Sequence, residues 1–209
     1  MMQEPEPRET AATAVRRLGH ALMAHDVDDA LLRRVATELS SLADAAERAG
    51  PRWRDVEALT RRMFTTEVAD GAPVVHFDEC VVSGPWNPLG IGIEVVRRGD
   101  DAVAEVVLGT AFEGGPGMAH GGIVAALFDD VLGYLLTLHH VPGFTGELTV
   151  RYHRPTPIGV PLTLHGWVVD RVGRRLLTAA EARADGQVVA SATATFVEVE
   201  AIRRVGGGG

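Results

Sequence analysis

The segment from Gly122 to His140 constrains this chain more than any other. Its apolar residues Ile123, Val124, Leu127, Phe128, Val131, Leu132, Leu135 and Leu136 fall on every side of a helical wheel. A helix with no wet face has to be buried, so the remainder of the chain must supply a surface that wraps it. The greasy part, Ile123 to Leu138, is short for a bilayer span, which takes roughly 20 apolar residues. It also carries two acids, Asp129 and Asp130. The segment therefore reads as a core helix of a folded domain, with no membrane as partner.

Strands are the natural wrapping. From Val74 onward, short runs rich in Val, Ile and Thr predict strands at Ile91–Arg97, Ala102–Leu108, Gly146–Arg154, Val160–Asp170, Arg174–Ala184 and Gln187–Glu200. Arg98-Gly99-Asp100, Arg171-Val172-Gly173 and Ala184-Asp185-Gly186 supply tight reversals between them. In the last run Ala190, Ala192, Ala194 and Phe196 alternate with Ser191, Thr193 and Thr195, a period of two. One helix sits between two early strands and four later ones with no βαβ alternation, so the fold class is α+β with an antiparallel sheet.

Ahead of this domain, Val15, Leu18 and Leu22 predict a helix over about 9–25. Leu32, Val35, Leu39, Leu42 and Ala46 predict a second over about 28–49, capped by Asp26 or Asp28 and stopped by Gly50-Pro51. Together they form a helical hairpin whose apolar stripe needs a partner, either the next domain or another subunit. Residues 51–73 read as a connector. The expected layout is a hairpin and connector over 1–73, a sheet domain over 74–200, and a flexible glycine tail over 201–209, with residues 1–7 disordered.

Charge and cysteine usage narrow the partners. The formal net charge of −8 disfavours nucleic acid. Cys80 is the single cysteine, so no intrachain disulfide forms. The start, MMQEPEPRET, has no apolar core of a secretion signal. The expected location is cytoplasmic.

The chemistry gathers around the start of the central helix. Glu113 to Gly122 contains Gly114, Gly115, Gly117, Gly121 and Gly122. Free N–H groups at a helix start, at the positive end of its dipole, stabilise a developing oxyanion, and His120-Gly121-Gly122 leaves them unobstructed. Asp129 and Asp130 lie about 100° apart on the helix, so they cannot share one pocket. A desolvated carboxylate is a general base; equally, either acid can serve an arginine or a neighbouring subunit. Gly121 and Asp129 are separated by roughly 12 Å of helix. A reacting carbonyl must lie about 3 Å from both attacking group and oxyanion donor. If both residues serve one reaction, they come from two chains whose helices run antiparallel across a dimer axis.

The His-Gly-Gly start with an acid nine residues after the His resembles the hotdog-fold acyl-CoA thioesterases, particularly the phenylacetate-pathway, PaaI-like type. Asn87-Pro88-Leu89-Gly90 and the run Leu148-Thr149-Val150-Arg151-Tyr152-His153-Arg154-Pro155-Thr156-Pro157 extend the resemblance over about 74–199. It implies a hotdog fold, an antiparallel sheet wrapped around one long helix, in a homodimer or dimer of dimers with composite sites. Asp129 would be the nucleophile or general base. Gly121, assisted by His120, would be the oxyanion donor from the other subunit, and Thr145 would orient the water. Gly122 and Asp130 would adjoin the substrate, with Asp130 the second choice for the acid. The implied reaction is hydrolysis of an acyl-CoA thioester, with coenzyme A entering as part of the substrate and no separate cofactor. Where some relatives carry Asn or Gln six residues before the His, this chain has Gly114, next to Glu113. An acyl-CoA-binding or assembly module without turnover is the alternative.

CoA phosphates call for arginine forks; Arg151, Arg154, Arg171, Arg174 and Arg175 are the candidates, Arg154 foremost. His139 and His140 suit a helix C-terminus. With His153 and His165 they show no metal-binding spacing, so no metal is expected. None of Ser40, Ser41, Ser83 or Ser191 sits in a G-x-S-x-G elbow, and no P-loop follows the glycines. A hotdog hydratase would need an Asp/His arrangement not found here. Cys80 reads as a small packed residue. Trp86, Trp167 and Phe112 read as core or pocket wall.

Overall fold

A computed structural model describes residues 6–74 and 76–199. The expected tail, 201–209, the final residue of the last predicted strand and all but the end of the expected disordered start lie outside the described residues.

The central helix, α4 (Gly121–Leu138), is buried as its composition demands: Leu127, Phe128, Val131, Leu132 and Leu135 are wholly inaccessible. Each such side chain contributes roughly 1.5–3 kcal/mol of transfer free energy. Around it run β1 (Val95–Arg98), β2 (Asp101–Val107), β5 (Gly143–Tyr152), β6 (Pro161–Val172), β7 (Arg175–Ala184) and β8 (Gln187–Glu198). They form one antiparallel sheet in the order β1-β2-β6-β7-β8-β5. α4 packs on all six strands. This is the expected hotdog arrangement. The turns fall where the sequence placed them, with positive φ at Gly99, Gly173, Asp185 and Gly186.

Two short strands, β3 (Glu113–Gly115) and β4 (Met118–Ala119), pair just before α4 and went unanticipated. Three residues are too few to carry a period. The first strand starts at Val95 rather than Ile91, because Ile91 and Gly92 donate their N–H groups to Val81 and Val82 carbonyls in a loop.

The N-terminal region holds three helices, α1 (Pro7–Ala24), α2 (Asp29–Glu47) and α3 (Val56–Thr65). Glu6 caps α1 by accepting from the Arg8 and Glu9 N–H groups, so order begins before residue 8. The packed face of α1 is rotated from the expected stripe: Ala12 is buried while Val15 is 41% exposed. His20 meets Phe112 edge-on, and Arg16 donates to the carbonyls of Pro85 and Asn87. Asp28 caps α2, as predicted. No residue of α2 is buried, and Leu42 is 65% exposed. Helix α3 replaces part of the expected connector; Asp55 caps it through the Ala58 N–H.

Candidate active site

Helix α4 and strand β5 run in opposite directions and are tied at two points. At the helix start Tyr152 Oη donates a 2.7 Å hydrogen bond to the Gly121 carbonyl. At mid-helix Thr145 Oγ1 donates a 2.9 Å hydrogen bond to Asp129 Oδ1. Side chains alternate along a strand, and Leu148 and Val150 share the helix-facing side with Tyr152. By that parity Thr145 would point away. A bulge between Thr145 and Glu147, with Gly146 as the extra residue, reverses the parity and turns the hydroxyl toward Asp129. A Cβ at Gly146 would stand 3.1 Å from Val197 Cγ2 and 3.2 Å from the Thr195 carbonyl, so the bulge favours glycine.

The helix start is shaped by His120. It is the N-cap of α4, and its Nδ1 accepts from the Gly122 N–H at 2.9 Å. A neutral ring with Nδ1 accepting carries its proton on Nε2, so the far side of the imidazole is a donor. Gly121, first in the helix, has an N–H with no intrahelical acceptor. A groove of about 530 Å³ runs past this point, lined by Gly115, Met118, His120, Gly121, Tyr152 and Arg154 among others. Arg154 is brought there because the chain beyond β5 turns back, with the Thr156 carbonyl accepting from the Ala119 N–H.

Gly114, the departure from the pattern of some relatives, has a structural cause. A Cβ there would lie 2.8 Å from His120 Cα and 3.1 Å from its Cβ. The His120 backbone occupies the space that a longer residue would need. Neighbouring Glu113 closes the β3–β4 turn by accepting from the Gly117 N–H.

Asp129 is exposed and lies outside the groove of its own chain. One chain thus brings Asp129 and Thr145 together, and His120, Gly121, Gly122 and Arg154 together, but does not join the two groups. Arg151 is exposed on β5, facing away from α4. Arg174 and Arg175 lie toward the Asp129 end of the sheet, where Val197 of β8 pairs with both Arg175 and Phe144. Arg174 donates to the Glu198 carbonyl and Arg171 to its carboxylate. β5 is an edge of the sheet, and Phe144 and Tyr152 on it are largely exposed.

Asp130 points the other way, into the protein. It is 8% exposed, and its Oδ1 accepts from Cys80 Sγ at 3.0 Å. His76 and Tyr134 stack beside it with ring centroids 4.4 Å apart, and Tyr134 Oη donates to Ser83 Oγ at 2.8 Å. Burial lowers the His76 pKa, opposed by the Asp130 charge. Burial, reinforced by Asp130, raises both the Cys80 thiol and the Tyr134 phenol. Cys80 is therefore half-buried in a polar cluster rather than simply packed. No local motif announces this cluster, whose members come from positions 76–83 and from α4.

Among the remaining candidates, His139 is the C-cap of α4, as expected. His140 bonds to the Phe64 carbonyl, His153 to Ser191 and His165 to Asp101. These rings have separate partners.

Comparison with known proteins locates the chain. The family described as the thioesterase superfamily matches residues 116–191. The crystal structure of a thioesterase superfamily protein superposes with a TM-score of 0.77 and 34% sequence identity, over 93% of this chain and 92% of its own. That likeness takes in the N-terminal helices as well as the sheet. Acyl-coenzyme A thioesterase THEM4 of Xenopus laevis is 29% identical over 133 residues, covering 61% of this chain. This chain spans 60% of that relative's length. The E. coli PaaI protein from the phenylacetic acid degradation operon superposes with a TM-score of 0.49 and 19% identity, over 52% of this chain and 80% of its own.

Proposed function

The chain belongs to the thioesterase superfamily, and from that premise we propose that it hydrolyses an acyl-CoA thioester to the free acid and CoA at sites shared between two copies. The observation that carries the proposal is the division of labour along α4. The His120–Gly121 groove sits at the start of α4 and the Asp129–Thr145 pair at its middle, so the two are separated along one helix–strand unit beside an exposed sheet edge. An exposed edge strand calls for a cover. A second copy with its α4 antiparallel to the first would bring Asp129 of one chain to Gly121 of the other, twice.

In that site the Gly121 N–H and His120 Nε2–H point at the thioester carbonyl. Asp129, held by Thr145, takes a proton from water as the water attacks, or attacks the carbonyl itself. Negative charge collects on the carbonyl oxygen, where the two donors stabilise it. Collapse of the tetrahedral intermediate expels the CoA thiolate, which takes up a proton, from Asp129 on the water route and from solvent on the direct route. On the direct route an anhydride with Asp129 remains, and water cleaves it to the free acid and the regenerated carboxylate. Arg154 lies in the groove beside Gly121 and suits a CoA phosphate; Arg151, Arg174 and Arg175 are further phosphate partners on the sheet.

Gly114 favours a second reading, an acyl-CoA-binding module without turnover, since no side chain at that position reaches the carbonyl or the water. A thioesterase assay over short, long and aromatic acyl-CoAs separates the two. Turnover by wild type that Asp129→Asn abolishes supports hydrolysis. Binding of CoA esters without turnover of any supports the second reading.

A further inference from the structure

The cluster behind Asp129 has the donor set of a metal site. His76, Cys80 and Asp130 each offer a ligand atom, and these atoms lie within 4.8 Å of one another. They supply one imidazole nitrogen, one sulfur and one carboxylate oxygen. Two of the donors are left over by the fold. Asp130 Oδ2 and His76 Nδ1 are both buried with no hydrogen-bond partner among the described residues. A buried, unpaired carboxylate oxygen is costly, and a cation beside it removes the cost. We propose that His76, Cys80 and Asp130 bind a divalent transition-metal ion of the zinc class.

The chemistry selects among cations. A thiolate with an imidazole suits zinc and its neighbours rather than magnesium or calcium, which take oxygen ligands. Zinc bonds of about 2.0–2.3 Å in a tetrahedron place ligand atoms roughly 3.3–3.6 Å apart. The Cys80–Asp130 pair, at 3.0 Å, has to open a little, and separations toward the 4.8 Å limit have to close by about 1 Å, within the reach of side-chain rotation. On binding, the Cys80 S–H proton leaves to solvent and the Cys80–Asp130 hydrogen bond gives way to two metal bonds. Thiolate and carboxylate together balance the dipositive ion, and His76 supplies a neutral nitrogen donor to it. Three protein ligands leave a fourth position. His76, Ser83 and Tyr134 also line a cavity of about 430 Å³, from which water can fill it.

The consequence is mechanical. His76 and Cys80 belong to the loop that precedes the sheet, and Asp130 follows Asp129 directly on α4. A metal would tie that loop to the central helix one residue from the acid on which hydrolysis depends. The ligands are 50 residues apart between Cys80 and Asp130, which explains why no local motif announces them.

Cys80 is the single cysteine, so a cobalt–thiolate band reports this site alone. Tag-free full chain, stripped with chelator, is titrated with Co²⁺. The expected result is a near-ultraviolet charge-transfer band that saturates at one equivalent, is displaced by Zn²⁺ and is absent in Cys80→Ser, which keeps a hydroxyl donor for Asp130. His76→Ala and Asp130→Asn should weaken binding at least about tenfold. Zn²⁺ should raise the melting temperature of wild type and not of Cys80→Ser, whose own apo melting curve checks that it is folded. The proposal is overturned if excess Co²⁺ gives no band in wild type. It is overturned equally if His76→Ala and Asp130→Asn bind with undiminished affinity, or if Zn²⁺ stabilises Cys80→Ser as much as wild type.

Discussion

Thr145 Oγ1 holds Asp129 Oδ1 at 2.9 Å, and it does so only because a bulge at Gly146 turns it to the helix side of β5. Without that reversal the acid would project from α4 with no partner to fix its rotamer. If Asp129 is the acid of the reaction, Thr145→Val removes the orienting bond and leaves the shape. A hydrogen bond to a charged group contributes about 1.5–3 kcal/mol, less when exposed, so kcat should fall about tenfold with KM little changed. Steady-state kinetics on the preferred acyl-CoA checks this.

Gly114 is held to glycine by the His120 backbone 2.8 Å from where a Cβ would stand. Gly114→Asn should therefore not restore the pattern of relatives. Displacing the helix cap should lower stability by roughly 1–3 kcal/mol, the usual cost of overpacking, and lower activity with it. Thermal melting beside an activity assay distinguishes this outcome from a gain of function.

Leu135 and Leu42 give the two extremes of the helical region. Leu135 is fully buried in α4 and Leu42 is 65% exposed on α2. Leu135→Ala should cost about 2–5 kcal/mol, whereas Leu42→Gln should change stability by no more than about 0.5 kcal/mol. Denaturant unfolding of both variants measures the contrast.

Tyr134 predicts an alkaline limit. Its pKa is raised above the ordinary 10.0, first by burial and then by the Asp130 charge. A group raised in the folded state stabilises fully below its unfolded value and loses that contribution as pH climbs through the folded one. Stability should fall with rising pH above about 10, and Tyr134→Phe should flatten that slope. Unfolding midpoints across the alkaline range provide the check.

The sheet and its central helix were legible because their signals are long. The Ala190–Phe196 alternation reappears as the buried face of β8, and the apolar circumference of α4 as a buried helix. The site was legible in part. Helix rise alone separated Gly121 from Asp129, and the structure keeps them apart. Other features depend on contacts that no local pattern carries. The turning of Thr145 toward Asp129 needed the bulge, for which Gly146 inside a strand was an available signal. Helix α3 has one too, Asp55 ahead of Val56, Leu59 and Met63, but ten residues hold too few turns to set its period apart from a connector. The meeting of His76 and Cys80 with Asp130 is set by tertiary folding across 50 residues of chain. The stripe of α2 shows the converse, an amphipathic pattern of which no residue is buried by the described residues.

The proposed shared site is tested most directly by complementation. Asp129→Asn removes the proposed acid. Gly121→Pro removes the N–H proposed as oxyanion donor, at the first helical position, where proline is tolerated, and His120 already has the extended backbone that proline requires before it. Each variant alone should be inactive on acyl-CoA. In a purified mixed dimer carrying one of each chain, a shared site leaves one centre with both residues intact, and activity should return to about half the wild-type rate. A mixed dimer as inactive as its parents would contradict the account.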